Sequence, residues 1–367
     1  MTRPAIESSE EAADVGLIEE VPLTVGGGGL RAWFSQHGTI SYLIRRLVLY
    51  LFTMWAAFSA TFFFFRLIPG NPIAHYIANL PVTTTAGKKL LSHYDHAFDL
   101  DGNAFQQYVA YMYQLVVKHD MGPSLIAYPT PSLVLVAHSI LWTIGLLGTS
   151  ALIAWILGII LGAFAGWRRN SPVSRVLTYC ALATSNLPFF FVAIVLLFIF
   201  AFDLNWLPLT YAYGPGMQLE LSLPFILSLL NHALIPGGAL VLVSMFTNFL
   251  TMRQQMITVL GEDYMTFASA KGLRPWHVLR RYGMPNCYLP QITGLVINLG
   301  FVFSGNIILE QIFIYPGVGH LLGEALRAQD YNTLMAITDV IIFMVLSAVF
   351  LIDMALPLLD PRIRHNR

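Results

Sequence analysis

The sequence predicts an all-α polytopic membrane protein with six transmembrane helices and both ends of the chain in the cytoplasm. Three observations carry that expectation. The 367 residues are 56% hydrophobic and only 11% charged, with a mean hydropathy of +0.65, whereas an ordinary soluble domain carries about 25% charged residues. Long apolar runs recur along the whole length, and basic residues collect in alternate gaps between them. Twenty basic and twenty acidic side chains cancel, so no global field recruits nucleic acid. The two cysteines, Cys180 and Cys287, lack the spacing of a thiolate metal site or a disulfide framework.

A spanning helix needs about 20 mostly apolar residues, because every backbone amide must be satisfied inside the hydrocarbon layer. Six runs meet that test, at 42–68, 133–166, 176–202, 223–251, 288–314 and 334–356. Arg45 and Arg46 open the first run; Arg168, Arg169 and Arg175 follow the second. Arg253, Lys271, Arg274, Arg280 and Arg281 follow the fourth, and Arg362, Arg364 and Arg367 close the chain. Cytoplasmic loops carry the excess of Lys and Arg, so these gaps and both termini are expected inside a cell membrane crossed several times. Residues 1–40, with six acids between Glu7 and Glu20 and then four glycines, read as a flexible cytoplasmic tail. Residues 41–367 form the membrane domain. Its external segment, 72–131, is expected to hold short helices, with 105–117 the best candidate.

The most informative stretch is the cytoplasmic loop 252–286. Glu262 and Asp263 open a helix, Ala268 and Ala270 keep it slim, and Lys271 with Gly272 closes it. Acid at the start and base at the end suit the helix dipole. Gly272 can take the left-handed conformation past a helix end, and Pro275 fits the first turn of the next helix. A helix, a sharp turn and a second helix are expected.

Here the chain resembles a known family. Asp263-Tyr264, Ala268, Ala270-Lys271-Gly272-Leu273, Tyr282 to Asn286 and Leu289-Pro290 are similar to the EAA loop of permease subunits in binding-protein-dependent ABC importers. The fit is closest to the dipeptide/oligopeptide group. Arg66 to Pro72, Asp120 to Leu125, Ser185 to Phe190, Asn205 to Pro208, Glu310 to Gly319, Arg327 to Tyr331 and Asp360-Pro361-Arg362 resemble its B-type subunit, in the expected order. Asn71 stands where that group usually has Asp, and Thr266-Phe267 replaces a more usual Arg-Thr.

The resemblance implies the type I ABC importer permease fold and alternating access for peptides, with oligosaccharides or nickel as alternative cargo in the same family. It implies a C-type permease, two ATP-binding cassette subunits that hold the ATP and magnesium, an extracytoplasmic solute-binding protein and the lipid bilayer as partners. It also implies that Asp263, Tyr264, Ala268, Ala270, Lys271, Gly272, Leu273 and Arg274 contact the ATPase, the small alanines allowing close approach in its groove. The chain itself is expected to be non-catalytic and to hold no cofactor or metal. Gly87-Lys88 has Val82 where a phosphate-binding loop needs its first glycine, and His320 with Glu324 has no third ligand nearby.

Polar residues at depth usually face a bundle interior or a cavity. Asn186, Asn248 and Asn306 in the third, fourth and fifth runs are therefore candidates for the translocation path, with helix–helix hydrogen bonding as the alternative. Glu310 either gates the external entrance or anchors the Tyr315-Pro316-Gly317 turn. A gradient-driven secondary transporter is the rival from another class; it would call for inverted internal symmetry and a cluster of coupling acids, where the sequence has isolated ones.

Overall fold

The computed structural model describes residues 38–67, 103–220, 222–302 and 305–359. The expected tail lies outside these except for 38–40. So do the Gly87-Lys88 pair, the Pro69 to Pro72 motif, most of segment 72–131 and the Asp360 motif. Of the chain's first compact unit, Met1–Arg46, the described part is helical; all packing below lies within the second, Leu47–Arg367.

The described residues are almost wholly helical, with no β-strand among them. Helix α1 is Gly38–Leu67. Helix α2, Ala104–Tyr113, begins at Asn103, which caps the Gln106 amide while the Gln106 side chain returns the bond. One wider π turn carries it on to Lys118, close to the helix expected at 105–117. Helix α3 spans Ser132–Trp167. Helices α4 and α5, Pro172–Thr184 and Phe189–Asp203, meet at a 99° bend. Then come α6 (Leu223–Leu260), α7 (Asp263–Ala270), α8 (Pro275–Val278), α9 (Met284–Val302), α10 (Ile307–Ile312), α11 (Val318–Ala328) and α12 (Tyr331–Leu359).

Two of the expected spans differ from the single rods read in the sequence. The run 176–202 is broken, because Pro188 lacks an amide hydrogen and its ring pushes Leu187 out of the helical region. The run 288–314 is divided: α9 ends at Val302, Gly305 takes a positive φ of 73°, and α10 starts afresh from Asn306. Among the described residues, four helices are long and apolar enough to cross a membrane, or five if the bent pair is one span.

The spine of the bundle is α3 against α6. Gly158, Gly162 and Gly166 repeat at every fourth residue along α3, and a Cβ at Gly162 would stand 2.6 Å from the Phe249 carbonyl oxygen. That distance is too short for any side chain, so the two backbones meet directly, as small-residue stripes permit between membrane helices. Helix α6 has 38 residues; at 1.5 Å per residue it is about 57 Å long, well beyond the ~30 Å hydrocarbon layer. Its last turns carry α7 at an end rich in arginine. At the opposite end of α3, α10, α11 and residues 119–131 cover the bundle as a cap.

Two buried acids hold that cap. Asp330, 1% exposed, accepts hydrogen bonds from the Ser124 hydroxyl at 2.6 Å and from the Leu125 and Ile126 amides. It also takes the Thr333 hydroxyl at 2.7 Å. The Asp120 to Leu125 and Arg327 to Tyr331 motifs thus meet although they are some 200 residues apart in sequence. Glu310, with none of its surface exposed, accepts from the Thr143 hydroxyl at 2.9 Å and from the Gly319 and His320 amides.

Candidate functional site

At the arginine-rich end the chain leaves α6 at Leu260, turns through Gly261 and Glu262, and forms the two turns of α7. Lys271 ends the helix and Gly272 follows with φ +70°. Nothing lies within 4 Å of the Cβ that a side chain there would carry, so glycine is required for its backbone conformation and not for space. Arg274 is extended, and Pro275 opens α8 at its first position. Through one π turn, Leu279–Gly283, α8 continues into α9. Helix α7 is thereby joined along the chain to two long helices, α6 before it and α9 after it.

One side of this helix–turn–helix faces the chain's own interior. Met265, Ala268 and Val278 are buried together, with Trp167, Val259, Leu260, Leu273 and Tyr282 packed on them. Ala268 therefore does not face a partner as the sequence reading expected. It sits three residues after Met265, on the same face of α7, and its small size serves the close approach of Val278. Ala270, Asp263, Lys271 and Arg274 lie on the exposed side, and Tyr264 borders it. Partial burial, helped by the neighbouring Glu262 carboxylate, pushes the Tyr264 phenol above its ordinary pKa. It is a neutral O–H donor at pH 7.

Two residues the sequence reading passed over dominate this exposed side. Phe267 is 71% exposed and Trp276 is 64% exposed. Their signal was available: once Met265 and Ala268 define the inner face, Tyr264 and Phe267, three apart, fall on the outer one. Trp276 and Pro285 also line a hollow of about 660 Å³ with Arg274, His277, Arg280 and Arg281. The hollow thus joins one exposed aromatic ring to three arginines.

A second feature lies midway along the bundle. A groove of about 360 Å³ runs between α3, α5, α6 and α9, and Asn248 and Asn306 both line it. Asn306 also caps α10, accepting the Leu309 amide at 3.2 Å. Asn186 and Glu310 are not among its lining. Asn186 is exposed at the α4–α5 bend, its amide donating to the Leu182 carbonyl at 2.7 Å. The Glu310 carboxylate is committed to the turn beneath α11, the anchoring arrangement of the two that the sequence allowed.

Residues 158–365 match the family described as the binding-protein-dependent transport system inner membrane component. The chain is 29% identical to the dipeptide transport system permease protein of Bacillus subtilis, covering 89% of this chain and 98% of that one. It is 27% identical to the di/tripeptide transport system permease protein of Pseudomonas aeruginosa, over 89% of this chain and all of the relative. It is 25% identical to the oligopeptide transport system permease protein AppB of Bacillus subtilis. The sequence motifs, the helical membrane architecture and this match agree: the chain belongs to the inner-membrane permease family of binding-protein-dependent transport systems.

Proposed function

We propose that this chain is the B-type permease subunit of an ATP-driven peptide importer, and that α7 with the turn at Gly272 is the element through which a separate ATPase drives it. The observation that carries the reading is the outward face at 263–281. Tyr264, Phe267 and Trp276 stand out from a rigid inner cluster, ringed by Lys271, Arg274, Arg280 and Arg281. Apolar groups of this size are seldom left in water without a partner, and charged ATPase surface would complement the arginines.

In this reading the arginine-rich end is cytoplasmic, as are both termini, and the cap end faces outward to a solute-binding protein. The chain crosses six times, the bent pair α4–α5 making one crossing and α9 with α10 another. A C-type permease completes the path, and ATP with magnesium is held by two partner subunits. Closure of those subunits pulls α7, and α6 and α9 move with it, so the groove containing Asn248 and Asn306 opens alternately to either side. The wider statement that peptides are the cargo rests on relatives whose names say dipeptide, di/tripeptide or oligopeptide transport.

The test is isolation of the chain from its native membrane under mild detergent, with identification of the subunits that accompany it. An ATPase and a second permease should co-purify, and vesicles holding the set should take up peptide only when ATP and the binding protein are present. Uptake driven by an ion gradient without ATP would overturn the reading in favour of a secondary transporter.

A further inference from the structure

The lining of the mid-bundle groove has a definite chemistry. On α6, Leu240, Ser244 and Asn248 recur every fourth residue; on α9, Leu295, Asn298 and Val302 recur at intervals of three and four. Each helix therefore turns one carboxamide into the groove, that of α6 beside the hydroxyls of Ser244 and Thr247 and that of α9 between apolar residues, and Asn306 adds a third at the foot of α10. The Asn248 and Asn298 side chains form no hydrogen bond with other described residues, and Asn298 is exposed. Trp155 and Phe189 supply flat apolar surface beside them. No lysine, arginine, histidine, aspartate or glutamate is among the residues lining the groove.

We infer that Asn248, Asn298 and Asn306 form a carboxamide track that reads the peptide groups of the passing solute and ignores its side chains. This rests on the peptide-import reading above and deepens it. A carboxamide both donates and accepts, through its NH₂ and its oxygen, which matches the N–H and C=O that every peptide unit carries. A peptide entering the groove must give up water from those groups, and unreplaced hydrogen bonds are costly. A neutral track replaces them without fixing a charge, so it favours no acidic or basic residue in the cargo. The apolar walls accept side chains of any shape by contact alone. Asn298 is the new member of the set, and the most exposed of the three carboxamides has the least structural work to do.

The experiment uses the whole complex in proteoliposomes, with binding protein saturated by one peptide at a time so that capture outside does not limit the rate. The probes are trialanine, Ala-Lys-Ala, Ala-Glu-Ala and trialanine N-methylated at its central amide, each first shown to load the binding protein fully. Wild type should move the three unmodified peptides at similar rates and the N-methyl peptide about tenfold slower, the equivalent of one lost hydrogen bond. Asn298→Leu should slow trialanine about tenfold and abolish the discrimination against N-methylation. Asn298→Gln, which keeps the carboxamide, should restore much of the rate. If Asn298→Leu and Asn248→Leu retain both rate and discrimination, the track is wrong although the chain remains a peptide permease. If wild type moves none of the four peptides, the peptide-import reading falls and the track with it.

Discussion

The two ends of the bundle treat polar and aromatic groups in opposite ways. At the cap end, Asp330 and Glu310 are buried and their carboxylates are taken up by hydroxyls and amides of distant segments. At the other end, Phe267 and Trp276 are exposed, and among the described residues Arg274, Arg280 and Arg281 form no ion pair. Buried acids cost several kcal/mol unless every lone pair is used, so the cap's hydrogen bonds bear on the fold itself. Exposed arginines and aromatics are not held by such bonds, so their arrangement at 263–281 bears less on the fold. The contrast separates residues that hold the permease together from residues that the proposed coupling to an ATPase would use.

The strongest way to break this contrast is Asp330→Ala. Donors on Ser124, Leu125, Ile126 and Thr333 would lose their acceptor, and a loss of about 3 kcal/mol or more follows. Thermal unfolding of the purified complex should show a large fall in Tm, and an unchanged Tm would mean the cap is not held this way. Gly162→Leu tests the spine that joins the two ends: forcing a side chain against the Phe249 carbonyl should cost about 1–3 kcal/mol by overpacking. The same unfolding measurement reads it, and a silent result would mean α3 and α6 lie farther apart than described.

Smaller effects on the fold are expected at the arginine-rich end. Phe267→Ala should change stability by no more than ~0.5 kcal/mol, yet the ATPase should be lost during purification if Phe267 is an anchor worth about 2 kcal/mol or more. Retention of the ATPase at wild-type level would place the anchor elsewhere. The smallest perturbation fixes which end is which. In a background lacking Cys180 and Cys287, Glu324→Cys should react with an impermeant reagent outside sealed cells, and Lys271→Cys should not. Labelling of Lys271→Cys from outside would reverse the orientation.

What the sequence disclosed follows the same division. The turn at Gly272 and Pro275 was legible because its signals are local: a helix end, a residue free to take positive φ, and a proline at a first turn. The membrane helices were legible because apolar length is a property of a contiguous run. The role of Asp330 was not, and that of Glu310 stayed between gate and anchor, since their partners Ser124 and Thr143 are remote in sequence and nothing local announces which hydroxyl a buried acid will meet. The α4–α5 bend was signalled by Pro188 but masked by apolar residues on both sides, which satisfy a hydropathy window whether the chain is straight or folded back. Ala268 was misplaced for a related reason. Small size announces close packing but not the surface it packs against, and only the burial of Met265 and Val278 reveals the inward face. Asn298 escaped notice because its environment is set by the spacing from Leu295 to Val302 and by the opposite wall on α6.

The central claim is that α7 and its turn transmit motion to the permease without being needed for its fold. Gly272→Val forces a β-branched residue into a left-handed turn, at a local cost of roughly 1–2 kcal/mol, and Ala270→Trp adds bulk to the exposed side alone. Thr266→Ala, also exposed, serves as the control. ATP hydrolysis and peptide uptake by the whole complex in proteoliposomes, with and without loaded binding protein, measure the link directly. Both Gly272→Val and Ala270→Trp should insert and remain folded while losing binding-protein-stimulated hydrolysis and uptake, and Thr266→Ala should behave as wild type. Normal stimulation and uptake in both variants would contradict the claim and move the coupling element away from this loop.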